Sequence, residues 1–360
     1  MAPSSRARLS IDLDALAHNY RVIAQEANGA EVAPVVKADG YGLGAGPIAR
    51  RLRAEGAKTF FVARLEEGEA LRRDLAEAAA DILVLDGFTG GSGPRLSASR
   101  LTPVLNSTAQ VSAARAFADT QPGPVACALQ VDTGMNRQGL AGIEVRHLVA
   151  TDQLAGLQIG LVMSHLGSGA DPGHPRNPAQ LSAFAEVRGL FPDARASLAA
   201  SAGAFLGPDY RFDMVRPGIS LFGGGPQETP DPRLKAVACL EAPILDIRSV
   251  AAGELIGYGV TIRAEATTRV ALLGVGYADG VIRATRKGGS AWAAGARRRL
   301  YIVDMDLTVI DLGTAEARPG DMVELLGPHV LLDDQARAAG SIAHECLVRL
   351  SSRAQRVYLG

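Results

Sequence analysis

Cysteine is nearly missing from this chain: Cys127, Cys239 and Cys346 are the only three in 360 residues. They are odd in number, far apart and in no metal-ligand spacing. That excludes a disulfide framework or a cysteine-based zinc site and suits a reducing cytoplasm. An excess of one charge is missing too. Lys and Arg number 37 against 38 Asp and Glu, for a formal charge of -1, which gives no support to binding of nucleic acid or of a membrane surface. The short basic clusters Arg283–Lys287 and Arg297–Arg299 read as solvated faces. No apolar run approaches the ~20 residues of a membrane span, and the opening Met-Ala-Pro-Ser-Ser-Arg-Ala-Arg lacks the apolar core of a secretion signal. A cytoplasmic protein is expected. No Gly-x-Gly-x-x-Gly opens a first strand–helix unit, and Gly90-Gly91-Ser92-Gly93 lacks a following Lys-Ser/Thr, so nucleotide-binding loops are disfavoured. With 47% hydrophobic and 21% charged residues, what is present is an enzyme-like globular chain.

A chain of 360 residues predicts one large and one smaller domain. Up to about residue 220, strands are expected at 32–36, 59–63, 82–85, 102–105, 126–131, 157–164, 195–200 and 213–216. Helix-like stretches near 14–27, 46–56, 65–78, 108–119, 142–150 and 179–190 separate them. Strand, crossover helix, strand in steady alternation means a parallel sheet. About eight such units predict a (β/α)8 barrel in preference to an open doubly wound sheet. A linker rich in glycine and proline follows, Gly223-Gly-Gly-Pro-Gln-Glu-Thr-Pro-Asp-Pro232, after which the helical period fades and glycine-punctuated β segments take over at 236–250, 268–275, 300–303, 306–311 and 320–326. The expected fold class is α/β. A barrel is expected over 1–228, its first strand free to pair with the second domain, and a mostly β domain over 229–360.

In a barrel of this kind, functional side chains sit at the C-terminal ends of the strands. The unusual polar residues fall there: Lys37 after 32–36, Asp132-Thr-Gly-Met-Asn-Arg137 after 126–131, His165 after 157–164, Ser201 after 195–200, and Arg216-Pro-Gly218-Ile219 after the last strand. Each alone has an ordinary structural explanation, such as a histidine satisfied by a neighbouring carbonyl. Five polar groups on one rim are better explained by a site. Ser201 and the Gly218–Ile219 turn suit a phosphate, since a small hydroxyl and exposed backbone N–H groups bind an anion without a lysine. His165, Asp171 and His174 lie in one loop with no supporting partner residues, so no metal is expected.

The most informative stretch is Ala33-Pro-Val-Val-Lys37-Ala-Asp-Gly-Tyr41-Gly-Leu-Gly44. A buried strand delivers a lysine into a glycine-rich turn, where desolvation lowers the amine's pKa and frees it to attack a carbonyl. Taken bare, such a lysine is a solvated charge; its surroundings argue otherwise.

Val35-Val-Lys37-Ala-Asp-Gly-Tyr41-Gly, Val131-Asp-Thr-Gly-Met-Asn-Arg137, Val215-Arg216-Pro-Gly-Ile219, Gly257-Tyr258-Gly259, Gly276-Tyr277-Ala-Asp-Gly280 and Asp304-Met305-Asp306 follow one another in order. Together they resemble the alanine racemases of the fold-type III pyridoxal phosphate class, over almost the whole chain. The resemblance implies a barrel holding pyridoxal 5'-phosphate, a C-terminal β domain, and a head-to-tail homodimer with shared active sites that acts on alanine. It implies that Lys37 carries the cofactor as a Schiff base and serves as one of two catalytic bases, with Tyr258 of the other subunit as the second. Tyr41, Ser201, Gly218 and Ile219 would hold the phosphate. Arg137 would lie near the cofactor's phenolic oxygen and the substrate carboxylate, Arg216 would face the pyridine nitrogen, and His165 would order the site. Tyr277 and Met305 would line substrate access from the partner.

Two positions depart from the family pattern. Gln130 stands where many members have a lysine that becomes carbamylated and contacts the motif arginine. An amide accepts from Arg137 without carrying a carbamate, so activity independent of bicarbonate is expected. Ser352 stands where many members place a tyrosine, which predicts a wider entrance and broader substrate selection, serine included. Rival readings are a racemase for another amino acid, a fold-type III decarboxylase and a non-catalytic cofactor carrier. Arg216 argues against the decarboxylase, which sets a carboxylate at the pyridine nitrogen. The second domain with Tyr258 argues against the carrier, which needs no second base.

Overall fold

The computed structural model describes residues 6–76, 80–258 and 262–360. The end of the helix expected over 65–78, the first five residues and Gly259 of the glycine–tyrosine–glycine motif lie outside the described residues. The chain divides into two compact units, one of residues 19–40 and 44–221, the other of residues up to His18, 41–43 and 222–360.

The first unit is a parallel barrel. Its strands are β2 (Glu31–Val32), β3 (Thr59–Val62), β4 (Asp81–Val84), β5 (Leu101–Leu105), β6 (Val125–Asp132), β8 (Leu157–Met163), β9 (Arg195–Ser197) and β10 (Met214–Val215), with a two-residue β7 (Leu140–Ala141) beside the end of β6; β1 (Arg8–Asp12) belongs to the other unit. Strands β3, β4, β5, β6, β8 and β9 are neighbours in that order, and β10 pairs with β2 in parallel. Single parallel bridges, Val35 to Phe61 and Ala200 to Arg216, join β2 to β3 and β9 to β10 and close the ring. The expected (β/α)8 barrel is what forms. Strands covered on both faces must be apolar throughout, and Thr-Phe-Phe-Val in β3 is buried at every position. Ala33, Phe61, Leu83, Val104, Ala128, Leu161, Met163 and Met214 fill the interior. Each fully buried Leu, Met or Phe side chain contributes about 1.5–3 kcal/mol.

The crossover helices obey the same patterning. Leu65–Leu75 buries Gly68, Leu71 and Leu75 on one face. The bare Cα of Gly68 lets that helix sit down on β5, since a Cβ there would meet Leu101 Cδ1 at 2.9 Å. Ser107 caps Thr108–Ala118 by accepting from the Gln110 amide at 3.3 Å. One crossover, Gly93–Ala98, was not expected; it buries only Gly93 and Leu96 and is too short to carry a helical period.

The second unit is a mostly antiparallel sheet that closes on itself. Its strands are β1, β11 (Ala238–Val250), β12 (Thr268–Leu273), β13 (Ser290–Ala293), β14 (Ala296–Val303), β15 (Thr308–Asp311), β16 (Met322–Leu326) and β17 (Gln355–Leu359). They run in the order β12-β15-β14-β13-β16-β11-β1-β17, and β12 also pairs with β11. The long β11 reaches both β16 and β12 through register shifts near Leu240 and Ile244, bends of the kind that let one strand turn a barrel corner. Ile256, Ala264, Val270 and Ile302 form one of its apolar clusters. Two helices, Leu332–Ala339 and Ala343–Val348, which the sequence did not announce, stand within the mostly β domain. Buried Asp333 and Gln335 break the apolar stripe of the first, which stops at Gly340 in the left-handed conformation. No helix among the described residues is long and apolar enough to cross a membrane.

Candidate active site

Lys37 stands at the rim end of the first barrel strand. Val36 N–H donates to Phe61 O at 2.9 Å, so the preceding residue is still paired to β3. The backbone then takes positive φ for five residues in succession: Ala38, Asp39, Gly40, Tyr41 and Gly42 have φ of 53°, 55°, 61°, 57° and 82°. Each non-glycine residue held there costs about 1–2 kcal/mol. Glycine at position 40 avoids that cost and a clash, because a Cβ would meet Ile48 Cδ1 at 2.8 Å. Gly40 N–H donates to Val36 O at 2.9 Å, Ala45 N–H to Asp39 Oδ1 at 2.9 Å, and Ala38 N–H to Glu67 Oε1 at 2.9 Å. Lys37 itself is half-buried. Desolvation, then the charge of Arg137, lowers its pKa below the ordinary lysine value, opposed by Glu67 and Asp86.

Arg216 follows β10 and is 3% exposed. Its guanidinium donates to Ser197 O at 2.8 Å, to Ser197 Oγ and to Ser164 O. Ser197 Oγ in turn donates to Met214 O at 2.7 Å. All these acceptors are neutral. Burial lowers the pKa of Arg216 to about 9, which leaves it cationic at neutral pH.

Beside it, Ser164 Oγ shares a hydrogen bond of 2.8 Å with Thr133 Oγ1. Gln180 Nε2 donates to Thr133 Oγ1 at 3.1 Å and to His165 O at 2.9 Å. Gln180 therefore joins the loop of Arg137 to that of His165. Asp132 Oδ1 accepts from the amides of Gly134 and Met135, both at 2.8 Å, and shapes the turn that leads to the exposed Arg137. Gln130 lies buried beneath this turn. A Cβ on Gly139 would stand 3.1 Å from its Cγ. On the next rim segment, Ser201 Oγ accepts from Gly218 N–H at 2.9 Å and Ser220 N–H at 3.3 Å. Ile219 opens a short 3-10 turn there, and Ser220 Oγ is buried with no hydrogen-bond partner. The barrel unit thus gathers Lys37, Arg137, His165, Ser201, Arg216, Gly218 and Ile219 at the ends of its strands. His174 and Asp171 are engaged in their own turn, Nδ1 with Arg176 N–H at 3.1 Å and Oδ1 with Gly173 N–H at 3.2 Å. Sequence reasoning missed Glu67, Ser164, Gln180, Ser197 and Ser220. Ser164 carried a signal in retrospect, a hydroxyl directly before His165 at a strand end.

The remaining candidates belong to the C-terminal unit. Tyr41 packs its ring on Phe222 and His344, with centroids at 4.9 and 5.9 Å, and burial raises its phenol pKa. Arg356 donates to Gly42 O at 2.7 Å and Tyr358 Oη to Leu43 O at 2.9 Å. Tyr258 is 83% exposed and follows Gly257, whose bare Cα abuts Ile302. Tyr277 and Met305 sit together, with Tyr277 N–H donating to Asp304 O at 2.8 Å and Ala278 N–H to Met305 O at 3.0 Å. They are 42% and 54% exposed. Leu255 and Leu307 are exposed as well. Ser352 is exposed, next to Arg353, which bridges Asp279 and Asp306 at 3.3 and 2.8 Å.

Family models match both parts of the chain: alanine racemase, N-terminal domain, over residues 11–226, and alanine racemase, C-terminal domain, over residues 237–358. A catabolic alanine racemase of Mesorhizobium japonicum is 42% identical over 358 residues, 98% of this chain and 93% of that protein. A biosynthetic alanine racemase of Agrobacterium fabrum is 40% identical over 369 residues, 98% and 93% of the two chains. Among solved structures, alanine racemase from Bartonella henselae with covalently bound pyridoxal phosphate superposes with a TM-score of 0.92 at 35% identity, covering 99% of this chain and 100% of that one. The chain belongs to the alanine racemase family.

Proposed function

We propose that this chain is a pyridoxal-phosphate-dependent racemase that interconverts L-alanine and D-alanine, working as a homodimer whose active sites draw on both subunits. The observation that carries the reading is Lys37, a half-buried amine of lowered pKa at the rim of a closed barrel.

The residues of the barrel fit the cofactor. Arg216 is a buried cation surrounded by neutral acceptors, so its charge is available to an electron-rich ring nitrogen. The Ser201–Gly218–Ile219 turn offers a hydroxyl and backbone N–H groups, and the buried, unpartnered Ser220 Oγ lies in the same turn. These suit a phosphate. Bound there, pyridoxal phosphate supplies an electron-withdrawing ring conjugated to the substrate nitrogen, which acidifies the Cα–H bond. The protein does the rest. Arg216 stays protonated and has no acceptor, so it would donate to the ring nitrogen and would not protonate it. Arg137 orients the substrate carboxylate, and His165 orders the groups around it.

Racemisation takes a proton from one face of Cα and returns one to the other, so two acid–base groups must stand opposed. Lys37 Nζ would hold the proton on one face. Tyr258 Oη of the partner subunit holds it on the other. In support, Tyr258, Tyr277, Met305, Leu255 and Leu307 are exposed large apolar residues of one unit, and such exposure marks surfaces that another molecule covers. The same partner surface would line substrate access through Tyr277 and Met305. Purified protein supplied with the cofactor and either enantiomer of alanine should approach equal amounts of both by chiral chromatography, and Lys37→Ala should abolish both conversion and yellow colour. A coloured protein that leaves both enantiomers unchanged overturns the reading. Exposed Ser352 favours a second reading, a racemase of broader selection that also accepts serine.

A further inference from the structure

We propose that Glu67 is a positioning residue for Lys37, its carboxylate holding the left-handed turn into which the lysine's backbone runs. This rests on the reading of Lys37 as the cofactor-holding base. Glu67 lies in the first turn of helix Leu65–Leu75. Its Oε2 accepts from Ala63 N–H at 2.8 Å and Arg64 N–H at 3.3 Å, which satisfies orphan donors at the helix start. Capping needs one oxygen. The other, Oε1, reaches into the neighbouring loop and accepts from Ala38 N–H at 2.9 Å. Ala38 is the residue after Lys37 and the first of the five in succession at positive φ.

The backbone hydrogen bonds of the turn itself are local, Gly40 to Val36 and Gly44 to Asp39. Glu67 instead ties the turn to the loop after β3, the strand with which the lysine's own strand pairs. A strained conformation persists only where its surroundings over-determine it, and this carboxylate supplies such a tie beside the reacting amine. The charged groups acting on Lys37 are Arg137, Glu67 and Asp86.

Glu67→Gln isolates the tie. An amide has one acceptor oxygen. Turned to the two cap N–H groups, it sets its NH2 against Ala38 N–H, keeping the helix start and losing the turn. Pyridoxal phosphate added to the cofactor-stripped chain should be captured by Lys37, read as the visible band, about tenfold more slowly than in wild type. With one anion gone, the acid limb of the capture rate should move to lower pH. Ala38→Gly removes the penalty of positive φ, so the double variant should recover most of the rate, a rescue that a helix-capping role does not predict. An unchanged rate in Glu67→Gln, or no rescue by Ala38→Gly, overturns the proposal. If Glu67→Gln does not fold, amide exchange at Ala38 in the wild-type chain decides: protection supports the tie, and exchange at the rate of an open loop overturns it. A wild-type chain that captures no cofactor at Lys37 sinks the functional reading itself, separably from an active wild type with an indifferent Glu67→Gln.

Discussion

Arg216 and Ser197 are bound to each other twice, through the serine's carbonyl oxygen at 2.8 Å and through its hydroxyl. The hydroxyl has a single proton, and Met214 O at 2.7 Å takes it. Ser197 Oγ therefore faces the guanidinium only as an acceptor. It fixes the direction of the cation and leaves its charge whole, which a carboxylate in the same place would cancel.

Removing that charge while keeping a donor should separate binding from turnover. Arg216→Gln is expected to retain pyridoxal phosphate and to lose about 100-fold in kcat, the scale on which one preorganised electrostatic group acts. Steady-state racemisation with the visible spectrum alongside checks it. Undiminished kcat would remove Arg216 from the mechanism.

The lowered pKa of Lys37 has a thermodynamic counterpart in the cofactor-free chain. Between its folded and ordinary values the unfolded state binds more protons, so stability rises with pH across that window, and the cost of the buried ammonium is fully present below it. The cofactor-free Lys37→Met chain should therefore melt above wild type at neutral pH. The difference should close as pH approaches the ordinary lysine value, about 10.4. Calorimetry across pH measures this, and a gap that widens with pH contradicts it.

Tyr258→Phe should keep the cofactor and lose about 100-fold or more in turnover, the weight of one positioned acid–base group. If each base serves one face, as proposed, solvent-deuterium incorporation should fall unequally for L- and D-alanine. Equal rates in both directions, at wild-type level, would rule out the two-base assignment.

Ser352→Tyr probes substrate breadth. If the small side chain leaves room at the entrance, the tyrosine variant should lower kcat/KM for serine about tenfold while alanine changes little, on the scale by which a pocket discriminates one small group. A panel of amino-acid enantiomers followed by chiral detection gives the answer. Strict alanine selectivity in wild type would refute the idea.

The rim was legible in the sequence because each polar residue ends an apolar run: Lys37 after Val35-Val36, His165 after Leu161-Val-Met, Arg216 after Met214-Val215. The residues that hold the rim were not. Ser197 ends the three-residue strand Arg-Ala-Ser, too short for a pattern. Glu67 looks like any acidic residue in a helix's first turn. Nothing in Ala38 announces positive φ, since alanine carries no preference for it. Helix Leu332–Ala339 was hidden by buried polar residues such as Gln335, whose Nε2 donates to Ser290 O and Leu325 O, both at 2.7 Å, and Ala343–Val348 is too short to show a helical period. Local patterns name the elements, whereas side chains that answer a need elsewhere in the chain carry no local mark.

Strand β1 lies parallel to β17, Arg8 opposite Gln355 and Asp12 opposite Leu359. Strand β1 is thus flanked on both sides only once a strand from far along the sequence docks on it. Pairings so distant in sequence form slowly, so β1 rests on β11 alone until β17 arrives. Detaching β17 would leave β1 as a bare edge.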